Sequence, residues 1–288
     1  MENVAMKRYT SMRVGGTVPY LFYPVDEEDL SDIVRWCRRK KLPYRFLGNG
    51  TNLIVADRGL KAGVIRMTAM RSLSFRTTDD GAVAVAAGGL PLKTLIARSA
   101  ARGLSGLQKL FGIPGTVGGA IKMNAGSFGV AVSDCLVAVR VMDAKGTIRS
   151  IERERLDFGY RSSPFANDEC VVEASFRLTA DSRERIKSDM DDVWGQRCEK
   201  HPMDFPSAGS IFKNTSGVPC WKRIDEAGLR GLAIGGARVS EKHANFIINT
   251  GGARADDVKR LIDRVKKDVR AVTGVTLEEE VELWGFNE

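Results

Sequence analysis

Between Ser105 and Gly129 the chain reads SGLQKLFGIPGTVGGAIKMNAGSFG, with seven glycines in 25 residues and almost no long charged side chains in its central part. Glycine reaches positive φ without steric cost and carries no Cβ, so successive backbone N–H groups can converge on an anion. The run Gly112-Ile113-Pro114-Gly115-Thr116-Val117-Gly118-Gly119-Ala120 has this character, and Pro114 stiffens it by fixing φ. A phosphate or pyrophosphate is the guest such a loop suits. The alternative is a tight turn between packed elements, the common use of an isolated Gly-Pro pair.

A second loop, Leu47-Gly48-Asn49-Gly50-Thr51-Asn52-Leu53, precedes the apolar run Leu53-Ile54-Val55. It lacks the third glycine of the GxGxxG fingerprint, and Asn-Gly alone is also an ordinary turn signal. Two small, donor-rich loops in one chain are together explained by a dinucleotide held across both.

The bulk properties narrow the classes. A length of 288 residues allows two or three subdomains, and 43% hydrophobic with 28% charged residues is a globular composition. No run approaches the roughly 18 apolar residues of a membrane span. The N-terminal MENVAMKRYTSMRVGG has no apolar signal core. Five scattered cysteines without a CxxC read as reduced thiols, so a cytoplasmic protein is expected. The net charge of +8 is concentrated in RWCRRKK (35–41) and KRLIDRVKKDVR (259–270), where helical apolar spacing makes the charges solvated outer faces. No aromatic interleaving suggests a base-stacking platform, so no nucleic-acid partner is expected. The sequence leaves the oligomeric state open and favours a monomer.

Along the chain, Asp26–Leu42 reads as a helix with Leu30, Ile33, Val34 and Cys37 on one face. Strands are expected at Leu53–Val55, Ala62–Met67, Ala82–Ala87 and Cys170–Leu178. Pro91 suits a helix start, and Leu136–Met142 with Thr147–Ile151 flank the hairpin turn Asp143–Gly146. A second long helix is expected at Ala255–Thr273, with Val258, Leu261, Ile262, Val265, Val269 and Val272 as its stripe and Gly274 as its cap. Val275–Leu283 alternates as a strand with Glu278, Glu280 and Glu282 on one face. Helices and strands alternate irregularly, so the fold class expected is α+β. A boundary is expected where strand gives way to ADSRERIKSDMDD, dividing 1–178 (subdomains about 1–70 and 71–178) from 179–288.

Metal and hydrolase chemistry are disfavoured: His201 and His243 have no second ligand at metal spacing, and no GxSxG elbow occurs. Three segments stand out instead. Arg161 in YRSSPF could clamp a carboxylate or phosphate bidentately, or could be a surface arginine in a loop. Ser210 in PSAGSIFKN, followed by Lys213 and Asn214, could present a hydroxyl in a cleft, or could cap a turn. In LEEEVE, one of several carboxylates would be special, and the pattern alone does not select it.

Taken together, TSMRVGG, LGNGTNLIVAD, GIPGTVGGAIKMNAGSFG, YRSSPF, PSAGSIFKN, IDEAGLRGLAIGGARVSEKHANFIIN and LEEEVELWG closely resemble the UDP-N-acetylenolpyruvoylglucosamine reductase family, flavoenzymes of bacterial cell-wall synthesis. The resemblance spans nearly the whole chain. It implies a two-subdomain FAD-binding region of the vanillyl-alcohol-oxidase type followed by a C-terminal α+β substrate-binding domain, whose last strand could pack back on the first subdomain. The form resembled is the shorter one, without an extra tyrosine-bearing loop over the substrate.

The same resemblance implies noncovalent FAD on Gly48, Asn49, Gly50, Thr51, Asn52, Leu53, Gly112, Ile113, Pro114, Gly115, Thr116, Gly118, Gly119, Ala120, Asn124 and Gly126. It carries the catalytic serine, arginine and glutamate onto Ser210, Arg161 and Glu280. Lys213 and Asn214 are implied as substrate contacts, with Arg197 and Lys200 for phosphates. NADPH is implied as reductant and UDP-N-acetylglucosamine enolpyruvate as substrate, hydride reaching C3 by way of FAD and a proton reaching C2 from Ser210. Two positions depart from the family pattern, Glu279 and Thr215 standing where proline is usual. The rivals are an oxidase of a small alcohol or sugar on the same fold, and a nucleotide-sensing or basic nucleic-acid-binding protein.

Overall fold

The structure is a computed structural model that describes residues 1–215 and 217–286. It divides into two compact units, one of Met1, Tyr20–Asn49 and Ala62–Arg197, the other of Glu2–Pro19, Gly50–Lys61 and Cys198–Glu288.

In the first unit, the helix α1 (Glu27–Arg39) starts where the Asp26 carboxylate accepts the Asp29 N–H at 2.9 Å, and it buries Leu30, Val34 and Cys37. It serves a small parallel sheet in which Gly63–Arg66 lies between the strand ending at Phe22 and Tyr44–Leu47. Leu30, Val34, Ile65, Met67, Met142 and Val172 share one cluster there. An antiparallel sheet comes next, in the order Ile148–Glu152, Leu136–Met142, Cys170–Ala180, Gly81–Ala87, Leu73–Thr78. The expected hairpin is present, with Val139 opposite Ile151 and the Asp143 carboxylate accepting the N–H groups of Lys145 and Thr147.

Two short helices, α2 (Leu92–Ala100, after Pro91) and α3 (Val117–Lys122), pack their apolar residues into the same core as Phe176 and Val139. The helix α4 (Arg183–Lys200) also belongs largely to this unit, whereas the sequence places it beyond a boundary at 178/179. Met190 packs on the first unit's core and Gln108 donates to Asp189 at 3.2 Å, which is why the division falls after Arg197.

The second unit has an antiparallel sheet ordered Ser207–Ser210, Phe246–Asn249, Ala237–Val239, Ala233–Ile234. It is covered by α5 (Cys220–Glu226) and α6 (Ala255–Thr273), whose Val258, Leu261, Ile262, Val265 and Val269 are buried with Ile211, Phe212 and Ile247. Val272, expected in that stripe, is 57% exposed at the helix end. Gly274 ends α6 at φ 71°, the left-handed cap the sequence predicts. The basic face of α6 is neutralised by Lys259–Asp263, Arg260–Asp257 and Arg264–Asp268 pairs.

The expected strand Val275–Leu283 forms only in part. Glu279 makes an isolated bridge with Phe212, and a regular strand begins at Glu282, running parallel to Leu53–Val55. No helix among the described residues is long and apolar enough to cross a membrane, and no described cluster of His, Cys, Asp or Glu could hold a metal ion.

Candidate functional site

In the first unit, the two glycine loops meet. A Cβ at Gly48 would lie 2.5 Å from Oγ1 of Thr116, so the approach requires glycine. Thr116 is buried and caps α3, its Oγ1 accepting the Gly119 N–H at 3.3 Å. The amides from Val117 to Ala120 do not converge on an open cradle as the glycine pattern suggests. Val117 donates to Leu90 O, Gly118 to Gly88 O and Ala120 to Thr116 O, each at 2.8 Å. Gly118 therefore serves close packing, its Cβ position lying 3.1 Å from the carbonyls of Gly88 and Val171.

Gly112 likewise makes room for protein. It sits at φ 83°, and a Cβ there would meet Cδ of Arg197 at 2.8 Å and Cε3 of Trp194 at 3.1 Å. Ile113 donates to Leu110 O, Pro114 is trans, and Gly115, at φ 140°, accepts the Leu92 N–H at 3.1 Å.

Asn124 is buried at φ 40°. Its Nδ2 donates to Gly159 O at 2.9 Å, while its Oδ1 is buried without a hydrogen-bond partner among the described residues. A buried acceptor left open calls for a donor. Half-exposed Gly48, Asn49, Gly112, Ile113, Gly115 and Gly126, with the Asn124 acceptor nearby in sequence, fit a flavin dinucleotide. The remaining loop residues belong to the second unit: Gly50, at φ 64°, has a Cβ position 2.1 Å from Tyr9 O and accepts the Ser11 N–H at 2.9 Å, and it is followed there by Thr51, Asn52 and Leu53.

Arg161 lies at φ 53° in a turn closed by reciprocal Gly159–Ser162 hydrogen bonds of 3.2 Å. Both its terminal nitrogens approach Gly126 O at 3.3 Å, and its guanidinium lies 5.3 Å from the Tyr160 ring centroid. Arg197, from the last full turn of α4, donates to Phe111 O at 3.0 Å and Ser127 Oγ at 2.8 Å. Burial first, then the charge of Arg161, lowers the Arg197 pKa from its ordinary value. The two guanidiniums repel one another around residues 126–128, and Arg197 has no carboxylate partner among the described residues.

In the second unit, Ser210 and Glu280 are brought onto adjoining segments. Ser210 ends its strand opposite Phe246, after a bulge at Gly209 where φ is 78°. The next residue, Ile211, accepts the Glu280 N–H at 2.8 Å. Both Ser210 and Glu280 are half-buried. Asn52 Nδ2 donates to the Glu280 carbonyl at 3.0 Å. Buried Cys220 lies close enough to feel Glu280: burial, and secondarily that charge, push its thiol up to about 12.

The expected substrate contacts have protein partners. Lys213 pairs with Glu278, and Asn214 Oδ1 accepts the Cys220 N–H at 2.9 Å at the start of α5. Lys200 is exposed at the end of α4. The departure at Glu279 is neutralised, both carboxylate oxygens meeting Lys266 Nζ at 2.8 and 2.9 Å. Thr215 closes a turn with Val218 through bonds of 3.3 and 3.0 Å.

Sequence reasoning missed Asn245, whose buried side chain accepts from Phe212 N at 3.0 Å and donates to Phe212 O at 2.8 Å. An asparagine amid the apolar residues of ANFIIN was its only signal.

Family models match two parts of the chain: residues 18–152 match an FAD binding domain, and residues 201–284 match the C-terminal domain of UDP-N-acetylenolpyruvoylglucosamine reductase. Among curated proteins, the UDP-N-acetylenolpyruvoylglucosamine reductase of Syntrophus aciditrophicus is 40% identical, over 97% of this chain and 90% of its own length. That of Heliobacterium modesticaldum is 41% identical, over 99% and 90%. Among solved structures, the UDP-N-acetylenolpyruvylglucosamine reductase of Thermus caldophilus superposes with a TM-score of 0.84 at 37% identity, covering 98% of each chain.

Proposed function

Because the chain belongs to the UDP-N-acetylenolpyruvoylglucosamine reductase family, we propose that it reduces UDP-N-acetylglucosamine enolpyruvate to UDP-N-acetylmuramate, with NADPH as reductant. It is an FAD-dependent oxidoreductase of peptidoglycan precursor synthesis. FAD held by the half-exposed loop residues Gly48, Asn49, Gly112, Ile113, Gly115 and Gly126 would supply hydride chemistry for the enolpyruvyl C3. No histidine precedes residue 201, which supports noncovalent FAD, and five unpaired cysteines support a cytoplasmic setting.

Hydride at C3 leaves negative charge at C2 and on the adjacent carboxylate. The Ser210 hydroxyl gives its proton to C2, acting as general acid toward a carbanion far more basic than an alkoxide. Glu280 contributes as a protonated hydrogen-bond donor or by orienting its neighbours, since a bare carboxylate would repel the developing charge. Arg161 suits the substrate carboxylate, being planar, forked and permanently charged. Arg197, which lacks a carboxylate partner among the described residues, suits a phosphate. In this reading the flavin region lies mainly within residues 18–152 and the substrate-binding domain within 201–284.

The observation that carries the catalytic reading is the 2.8 Å bond from Glu280 N–H to Ile211 O, which sets the acid beside the Ser210 segment. The test is NADPH oxidation by the purified yellow protein with and without the enolpyruvyl sugar. Oxidation that requires the sugar supports the reaction. Flavin reduction without transfer to the sugar removes the substrate assignment.

A further inference from the structure

Glu280 is held from both sides of its own backbone. Its N–H bonds to Ile211 O at 2.8 Å, on the segment that carries Ser210. Its carbonyl accepts Asn52 Nδ2 at 3.0 Å, on the loop that precedes Leu53–Val55. That loop also sets the register of the adjoining strand pair, because Asn52 O accepts the Glu282 N–H at 3.0 Å. From there the strands run in parallel, Leu53 beside Glu282, Ile54 beside Leu283 and Val55 beside Trp284.

Asn52 thus extends the ladder past its last regular rung, its backbone serving residue 282 and its side chain serving residue 280. With both peptide groups of Glu280 engaged, the direction of its Cα–Cβ bond is set, and its carboxyl can move only through side-chain torsions. An alanine at 52 would keep the backbone rung and lose the side-chain donor. An aspartate would set a carboxylate oxygen against the Glu280 carbonyl, which repels it.

We propose that Asn52 is a positioning residue for Glu280, acting through the residue-280 carbonyl on the reacting end of the site. This rests on the assignment of Glu280 to catalysis. A ladder cap of purely structural role would affect stability without regard to which side chain stands at 280.

The experiment is a double-mutant cycle on the FAD-loaded protein, with Asn52→Asp and Glu280→Gln singly and together. The rate at which the enolpyruvyl sugar reoxidises NADPH-reduced flavin is followed by stopped flow. Asn52→Asp is expected to slow reoxidation about tenfold to a hundredfold in the otherwise native protein. In the Glu280→Gln background it should slow it less than about threefold, since contacting pairs couple and independent ones add.

Should Asn52→Asp fail to retain flavin, the cycle is run with Asn52→Ala, which removes the donor without adding charge. Hydrogen exchange in the apoprotein gives a readout independent of turnover. Amides at 280 and 282 should exchange about tenfold faster in the Asn52 variant, while those inside α6 are unchanged. Equal rate losses in the two backgrounds, or unchanged exchange at 280, would overturn the proposal. Normal turnover of Glu280→Gln alone would instead remove the catalytic assignment beneath it.

Discussion

Gly112 and Arg197 are mutually dependent: the space a Cβ would take at Gly112 is filled by Cδ of Arg197, 2.8 Å from that position. A glycine in the loop expected to cradle a phosphate thus gives its room to an arginine suited to bind one. Gly112→Ala should weaken the protein twice over, through the strain of alanine at φ 83° and through displacement of Arg197. A loss of about 2 kcal/mol in urea unfolding, accompanied by a higher KM for the UDP-sugar, is expected. An unchanged KM would separate the loop from the arginine's role.

Arg197→Lys keeps the charge but not the fork that reaches both Phe111 O and Ser127 Oγ. KM for the UDP-sugar should rise about tenfold with kcat within about threefold, the signature of lost uniform binding. Steady-state kinetics with the sugar varied at saturating NADPH would show it.

Ser210→Ala should remove the proton donor and leave the flavin in place. Anaerobic NADPH should still bleach the bound flavin, while steady-state turnover with the enolpyruvyl sugar falls about a hundredfold or more. Normal turnover would exclude Ser210 as the acid.

Alkaline stability depends on buried thiols. Burial raises Cys37 to about 11 and Cys170 to about 12, and raises Cys220 to about 12 with Glu280 as the lesser cause. The unfolded thiols ionise near their ordinary value of 9.0, whereas the folded ones hold their protons. The unfolded state therefore binds fewer protons above pH 9. The stability these thiols contribute is complete below pH 9 and is lost as pH rises from 9 to the folded values, about 11 to 12. Each contributes a slope of up to about 1.4 kcal/mol per pH unit in that window. Urea midpoints measured from pH 8 to 11 should fall, and less steeply in Cys170→Ala.

Asp57 caps α6 from a distant part of the chain, its carboxylate accepting the N–H groups of Ala255 and Asp256 at 3.0 Å each. Asp57→Ala should cost about 1–2 kcal/mol, as for other lost helix caps. Asp57→Asn should recover part of it, because the amide oxygen still accepts one bond while the charge at the helix N-terminus is gone. Thermal melts of the two variants would give both numbers.

The features legible in the sequence are local ones. Asp26 announces α1, Pro91 announces α2, Gly274 ends α6, and the hairpin at Asp143 has its turn chemistry written into four residues. The segment after Gly274 reads as one strand but is not, because its alternating pattern belongs to two different pairings. Glu279 lies opposite Phe212 while Glu280 donates to Ile211 O, and only from Glu282 does the chain join Leu53–Val55. Glycine density locates the loops but not their use, since glycine serves a close protein approach at Gly118 and Gly112 as readily as a ligand. Arg161 and Ser210 stand out locally, each with an alternative reading, and only resemblance to a family gives them roles and selects Glu280 among its neighbouring acids. The asparagines that hold the neighbourhood of two of them, Asn245 and Asn52, act over sequence distances no local pattern encodes.

The second unit is assembled from the beginning, an early interior piece and the end of the chain. On a ribosome its first two pieces emerge well before their partners. At about 5–20 residues per second, Leu53–Val55 waits of the order of ten seconds or more for the strand that will pair with it. During that time an apolar strand destined for full burial has an open edge, which is an invitation to pair with other chains. The first unit has all its segments by Arg197, whereas the second needs the strand Glu282–Trp284 to pair Leu53–Val55. A fragment limited to residues 201–284 would lack Met12, Val14 and Ile54 from its core, so the C-terminal domain matched by sequence is smaller than the body that folds.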